Sequence, residues 1–582
     1  RFGKVPVLYF PYILWPATTE RSSGWLIPKP SYSDRRGFHV GLAYYRTLGR
    51  SADATFYADL STKEYQGLGF EYRYTPTENT QGIFESYYLF EPVDQDVPFP
   101  IRDPTRSLGE DRWKVAWTHE SKNLWGDWRG VINLELFSDF DYERDIDRTF
   151  DRQTRPFQYS NAFLTSNRGN QSWNVMVDQQ IRLDNVGTRA TLRQLPEIEY
   201  QVRSTRLGSS NVYFDLRSSV NYFFAEFEDR DIQNDDGTTT PGDRVSFDYG
   251  RLDLAPSLSV PLSNLTWLSA KLTVAGRVTH YTDSLADPEE PDQLASDEPL
   301  PGGSLTRVFP SAALEIVGPS VSKIFETDGK RFSKYKHIIE PRINYVWVDQ
   351  YDDANRISIF DGIDRFFPQN GVVVSIVNRL LAKPRDEEKG GAFEIASFEL
   401  AQGYIFDDFD EDPTNDDSDG PLVASLRYNP SDVTSLRAEA VYDSDISQLT
   451  SFRLSGGVQV SENFGFGLSY SALWNDMGDE TKDQVRFSTQ IGLGDRLTLG
   501  LEGSYDNLDF NQVAFPDRER WLNRRLVLDY QAECLSWLLE YRETTLGFQP
   551  LDAADQKFDD SEIRFSLTLK NVGTFLDINE SF

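Results

Sequence analysis

Hydrophobic residues alternate with polar ones along this chain, in short runs that recur from one end to the other. In SEIRFSLTLK, residues 561–570, Ile563, Phe565, Leu567 and Leu569 fall on one side of an extended strand, and Arg564, Ser566, Thr568 and Lys570 on the other. RLDLAPSLSVPL (251–262) sets Leu252, Leu254, Pro256, Leu258, Val260 and Leu262 against Arg251, Asp253, Ala255, Ser257, Ser259 and Pro261. VRFSTQIGL (485–493), FRLSGGVQV (452–460) and NVYFDLR (211–217) repeat the pattern, and strong helical periodicity is evident nowhere. Strands with one oily face and one wet face must hide the oily one, either in a protein core or in lipid.

No window reaches the roughly 20 apolar residues of a membrane-spanning helix. The longest apolar stretch, Val5 to Pro16, is broken by Pro6 and Pro11. A mean hydropathy of −0.51 suggests a soluble protein, yet only alternate residues of a membrane β-barrel are apolar, so modest bulk hydropathy fits that too. Aromatic residues make up 14% of the chain, which argues against disorder and suits both buried edges and a lipid interface. Strands of about 10 residues plus connections give about 24–28 strands in a chain of this length. A soluble all-β protein of 582 residues should divide into several sandwiches with visible linkers, and none is visible. The fold class expected is all-β: a transmembrane antiparallel β-barrel of about 26 strands. A soluble or surface-attached β-rich binding protein remains the alternative of another class, because a sandwich also turns polar faces outward.

The formal charge of −33 is concentrated in three stretches: 227–244 and 282–303, and FDDFDEDPTNDDSDGP at 406–421. Their Pro, Gly, Asn and Thr mark them as exposed acidic loops, with divalent-cation binding as a looser reading. DDSDG (416–420) lacks the full spacing of a calcium loop. No basic stripe offers a nucleic-acid groove. The four histidines, His39, His119, His280 and His337, are scattered, with no zinc spacing, nucleophile elbow or phosphate loop. No enzyme, cofactor or metal site is expected. Without a reaction, passage or binding is the remaining job, and a lumen this wide would leak unless filled, which favours a partner protein as plug.

Five prolines, Pro6, Pro11, Pro16, Pro28 and Pro30, crowd residues 4–32. Each lacks a backbone donor, so residues 1–30 read as a hinge and the start of a first strand, with the barrel over 31–582. The same prolines serve a second reading, in which they keep one barrel seam weak. The chain starts in mid-pattern, as if cut from something longer.

Particular words then resemble a known family. VPVLYFPYILWP, SSGWLIPKPSY and the run 44–74 resemble the barrel start of the LptD family of lipopolysaccharide-assembly outer-membrane proteins. HIIEPRINYVWV (337–348) and FDGIDRFFPQNGVVVSIVNRL (360–380) resemble its central segment through Glu340, Pro341, Arg342, Tyr345, Asp364, Arg365, Asn370 and Arg379. ELAQGYIF, PLVASLRYNP and the strand carrying Cys534 continue in order.

The resemblance implies a Gram-negative outer-membrane translocon that inserts lipopolysaccharide through a lateral gate between first and last strands. It also implies a lipoprotein plug similar to LptE, and a periplasmic bridge reached through an N-terminal domain that this chain lacks. Gate candidates on this reading are Pro11, Pro16, Pro28, Phe565 and Leu567, with SEIRFSLTLK as the last strand and Arg564 and Lys570 facing the lumen. Better-known relatives carry adjacent cysteines near the C-terminal end, bonded to cysteines of the N-terminal domain, whereas here Cys534 stands alone beside Glu533, which leaves that disulfide open. A large porin or passive channel remains the rival within the same fold.

Overall fold

The computed structural model describes residues 21–581 apart from 27, 34–36, 63–65, 91–110, 140–141, 143–156, 184–187, 230–231, 234–238, 241, 264, 295, 297, 387–390, 407–418, 445, 462–463, 476–477, 508–519, 534, 546–558 and 570–572. Alternation becomes geometry at once. In the strand Arg244–Pro261, Leu252 and Leu254 are about half exposed while Arg251 and Asp253 between them are almost fully buried. The neighbouring strands obey the same rule in register: Val220 and Tyr222 are exposed, Asn221 and Phe223 buried; Val278 and Val308 are exposed, Thr279 and Arg307 buried. An exposed apolar row beside a buried polar row is the inverse of a soluble sandwich. It identifies the oily face as the lipid side and the wet face as the interior.

Apart from the two-residue hairpin Ile232–Gln233 with Thr239–Thr240, the described strands join one sheet of 29. Each wall strand pairs antiparallel with the next in the chain, from the start to Gly573–Ser581. Two wall positions are interrupted. Gly24–Trp25 and Lys29–Ser33 both pair with Gly37–Thr47. Leu305–Val317 and Val321–Glu326 both pair with Phe332–Val348. That leaves 27 positions among the described residues. Closing such a sheet into a barrel satisfies the backbone groups that hydrocarbon cannot. The Lys29–Ser33 segment lies against Gly573–Ser581, which brings the two ends of the wall together.

Two local causes of interruption are visible. Pro341 has no N–H to donate, and directly across from it the partner strand bulges at Gly318–Ser320. Gly318, at φ +115°, donates to the Pro341 carbonyl, and a Cβ there would sit 2.3 Å from the Trp267 oxygen, so only glycine fits. At the wall's start, Leu26 still bonds the Ala43 carbonyl, but exposed Pro28 follows and Pro30 lies within the next segment.

Because connections alternate between ends, strand order sorts them. The long ones, including 91–111, 138–156, 229–243, 282–304 and 349–368, all leave from one end; 78–79, 169–170, 207–212, 262–268 and 432–433 leave from the other. Outer-membrane barrels place short turns in the periplasm and long loops outside. The connections that carry the three acidic stretches therefore leave from the outer end, and the first strand is entered from the short-turn end.

One expectation changes. SEIRFSLTL, residues 561–569, belongs to the strand Asp559–Leu569, but that strand is paired on both sides, with Leu535–Thr545 and with Gly573–Ser581. It is the penultimate strand. Phe565 and Leu567 stand one strand in from the join, and Arg564 is in register with Glu540.

The inside-out arrangement predicts an asymmetric cost. Leu254→Arg should lose about 2–4 kcal/mol of folding stability in bilayers, whereas Ser257→Arg, on the inner face, should lose far less. Equilibrium folding into phosphatidylcholine vesicles measures both, and equal losses would contradict the assignment of faces.

Candidate functional site

The interior of the wall is built of two different surfaces. One is an ion-paired cradle on the strands between Tyr213 and Val317, into which the connection 349–368 folds as a strap. Phe360 of the strap packs on Phe223 with ring centroids 4.3 Å apart, and Phe366 meets Phe309 at 4.9 Å. Charge then fixes it. Arg251, fully buried, donates to both oxygens of Asp361 at 2.6 and 2.8 Å and to Asp364 at 2.6 Å, with its guanidinium 4.6 Å above the Phe223 ring.

Asp364 earns its burial by many bonds. Its second oxygen accepts the backbone N–H groups of Phe360 (2.9 Å) and Asp361 (3.1 Å), and Tyr281 donates to the first at 3.1 Å. A carboxylate cut off from water requires such partners. Arg307 is also buried and reads the strap by its backbone, donating to the carbonyls of Ile363 (2.8 Å) and Asp364 (3.4 Å). Lower down, Asp253 takes Thr279 at 2.7 Å and Arg277 at 3.1 Å. A second outer connection locks on: Arg356 of the strap pairs with Asp287 at 2.8 Å, and its carbonyl accepts Leu285 N–H.

Burial alone would raise the Asp361 carboxyl. The hydrogen bonds and charge of Arg251, with the N–H groups of Ile363 and Asp364, outweigh it and hold the carboxyl below the ordinary carboxylate range. A depressed carboxylate stabilises the docked strap fully above its undocked pKa, near about 4, and ceases to as pH falls through the lowered value.

The second surface covers the later strands, where glycine, serine and arginine face inward. A balanced group stands at its far side: Arg525 bonds Glu540 at 2.7 Å and Glu502 at 3.4 Å, and Arg542 bonds Glu540 at 2.9 Å.

Of the residues expected from sequence, Asp364 is the buried anchor just described, while Arg365 beside it is exposed. Glu340 and Arg342 pair with each other at 2.6 Å, with Arg379 of the next strand 3.8 Å away. Tyr345 donates to Asn370 across the same two strands at 2.9 Å. Pro28 lies in the break of the first strand; Pro11, Pro16, Lys570 and Cys534 lie outside the described residues. No three acidic, histidine or cysteine side chains converge on a metal site among the described residues. Sequence reasoning missed Arg251, Arg307, Tyr281 and Asp361. Their only trace was the charged residue on the wet side of YGRLDL and the first aspartate of FDGID.

A family model described as LPS transport system D matches residues 110–500, about two thirds of the chain, and one described as LptD protein matches 1–215. A relative from Sodalis glossinidius, named LPS-assembly protein LptD, is 22% identical over 99% of this chain and 72% of its own length. Proteins of that name from Pectobacterium atrosepticum and Pseudomonas syringae are 26% and 27% identical over 65% and 70% of this chain. The chain spans 47% and 44% of those two relatives. Superposition on the siderophore receptor PirA of Pseudomonas aeruginosa covers 89% of this chain and 76% of that one at 10% identity, with a TM-score of 0.29, too low to bear on the argument.

Two outcomes follow from the strap. Arg251→Ala should cost docking about 3–5 kcal/mol by stranding two carboxylates, so hydrogen exchange at residues 360–364 should accelerate at least a hundredfold while the heat-modifiable barrel band persists. Acidification should do the same without mutation: after correction for intrinsic rates, protection of Ile363 and Asp364 should hold from pH 7 to about 5 and fall below about 4. Loss of protection above pH 6 would show that Asp361 is not the titrating anchor.

Proposed function

This chain belongs to the LptD family, and from that premise we propose that it carries lipopolysaccharide into the outer leaflet of the Gram-negative outer membrane, where it resides. The acyl chains leave sideways through the join between the first strand (Gly24–Trp25 with Lys29–Ser33) and the last (Gly573–Ser581), while the sugars pass through the lumen. The observation that carries this reading is the state of that join. The two strands lie side by side, yet no ladder joins them among the described residues. Following the antiparallel pairs round the 27 positions leaves first and last strands running in the same direction. The pairing used everywhere else cannot continue there, and Pro28 and Pro30 remove two donors from the first strand.

The gate residues follow that geometry. Pro28 stays a gate candidate, and Gly573–Ser581 takes the place first given to Phe565 and Leu567. Arg564, opposite Glu540, belongs with the wet interior. The reading extends to a lipoprotein plug in the lumen and to a periplasmic bridge delivering the glycolipid at the short-turn end. A passive pore is less well served by this interior, because the strap occupies part of it.

Photo-crosslinkers at Leu26 and Leu576 test the join. Both should capture lipopolysaccharide in transporting cells, and a disulfide introduced between Lys29–Ser33 and Gly573–Ser581 should stop its appearance at the surface until reduced. Undiminished delivery through a covalently closed join would exclude lateral release.

A further inference from the structure

Three arginines of the second inner surface cluster without acidic partners. Arg427, Arg437 and Arg486 make no hydrogen bond or ion pair with any described residue, in a chain of formal charge −33. All three line one recess of about 750 Å³ in the inner wall. Register puts them on one continuous row: Arg427 faces Arg437, Arg437 faces Ser455, Ser455 faces Ser469, and Ser469 faces Arg486.

Two features of this row need an explanation. Like charges directly opposite each other on adjacent strands are destabilising, and Arg427 and Arg437 are such a pair. Close by on the inner wall two arginines do meet acids: Arg453 meets Glu439 at 3.3 Å, and Glu502, which also borders the recess, is engaged by Arg525. The surroundings of the trio are equally distinctive. Gly457 and Gly467 pair across the row's edge, so hydroxyls, backbone and guanidinium forks are accessible with little side-chain bulk above them. Leu436, Leu468 and Phe487 of the recess stand at alternate positions to the row, whose inward-facing positions carry no large apolar side chain and so make a poor seat for a folded protein, whose binding energy concentrates in such anchors. Guanidinium forks and hydroxyls suit phosphate and sugar oxygens.

We infer that the row Arg427–Arg437–Arg486 is a track that binds the phosphate groups of a phosphorylated oligosaccharide on its way through the lumen. The inference rests on the transport reading above and adds to it the place and the chemistry of the sugar contact. Arg437 and Arg486 are three strand spacings apart, about 15 Å. A ligand that engages both must therefore carry several anionic groups along its length, which a free phosphate ion cannot do. The neighbouring serines supply the hydrogen bonds that hold sugar hydroxyls between phosphate contacts.

The test uses the full-length protein with its partners in cells, with a photo-reactive residue at Ser455 and a second probe at Leu26 in separate strains. Lipopolysaccharide with phosphorylated core sugars should be captured at Ser455. Arg437→Gln combined with Arg486→Gln should lower that capture about tenfold, with the heat-modifiable band showing that the barrel is folded. In reconstituted vesicles, chemically dephosphorylated lipopolysaccharide should be captured by the unaltered protein about as weakly as the phosphorylated form is by the double variant. Capture that is equal across variants, or equal for both glycolipids, overturns the track. So does capture of a polypeptide alone at Ser455. Glycolipid at Leu26 but never at Ser455 refutes the track and leaves the transport reading standing; glycolipid at neither position refutes both.

Discussion

A backbone N–H or C=O left unpaired in hydrocarbon costs several kcal/mol, and no water is there to compensate. That single requirement forces the strands of this chain into a continuous ring and makes each of them depend on two neighbours. It also makes any place where the ring is not laddered energetically conspicuous. Among the described residues that place is where Lys29–Ser33 lies beside Gly573–Ser581, with Pro30 inside the first of them. The bulge at Gly318 shows the other way to manage a proline: across from Pro341 the partner strand bends away and resumes pairing on the far side. At Pro341 the missing donor is absorbed by a bulge across from it. At the join it is not.

Inside the ring, the same scarcity of water sorts the charges. Arg251 and Asp364 are tolerated at full burial because each is met by several partners, two of them aromatic. Removing one member of such a group costs far more than the group contributes as a whole, so the network is better understood as fixing where the strap sits than as a store of stability. Further round the wall, arginines without acids stay close to solvent, among glycine and serine. One wall thus has a filled, fixed arc and an open, cationic one.

Much of the wall was legible from residue order alone. In RLDLAPSLSVPL the alternation named the lipid row (Leu252, Leu254, Leu258) and the inner row (Arg251, Asp253) without error, because strand geometry assigns faces by parity and nothing else. What residue order could not show is which inner residues meet. Arg251 and Asp361 are 110 residues apart, and each looks like an ordinary polar residue in its own run. The last strand was misplaced for a related reason. GTFLDINES sets Phe575 and Leu576 side by side, which blurs the period of two, whereas SEIRFSLTLK shows it cleanly. Asp364 stood out only through a family motif, and its role as the strap's anchor emerged from contacts with Arg251 and Tyr281.

The position of the strap round the ring has a mechanical consequence. The interrupted strand beginning at Leu305 is the fourteenth of 27 positions, diametrically across from the join, and the strap is bolted to it and to its neighbours on one side. A ring stiffened opposite an unladdered join cannot flex like a uniform hoop; the bending is thrown onto the two unbraced flanks. Parting the join would then swing those flanks as arms about a fixed spine, and the effort needed would depend on residues about half a circumference away from it.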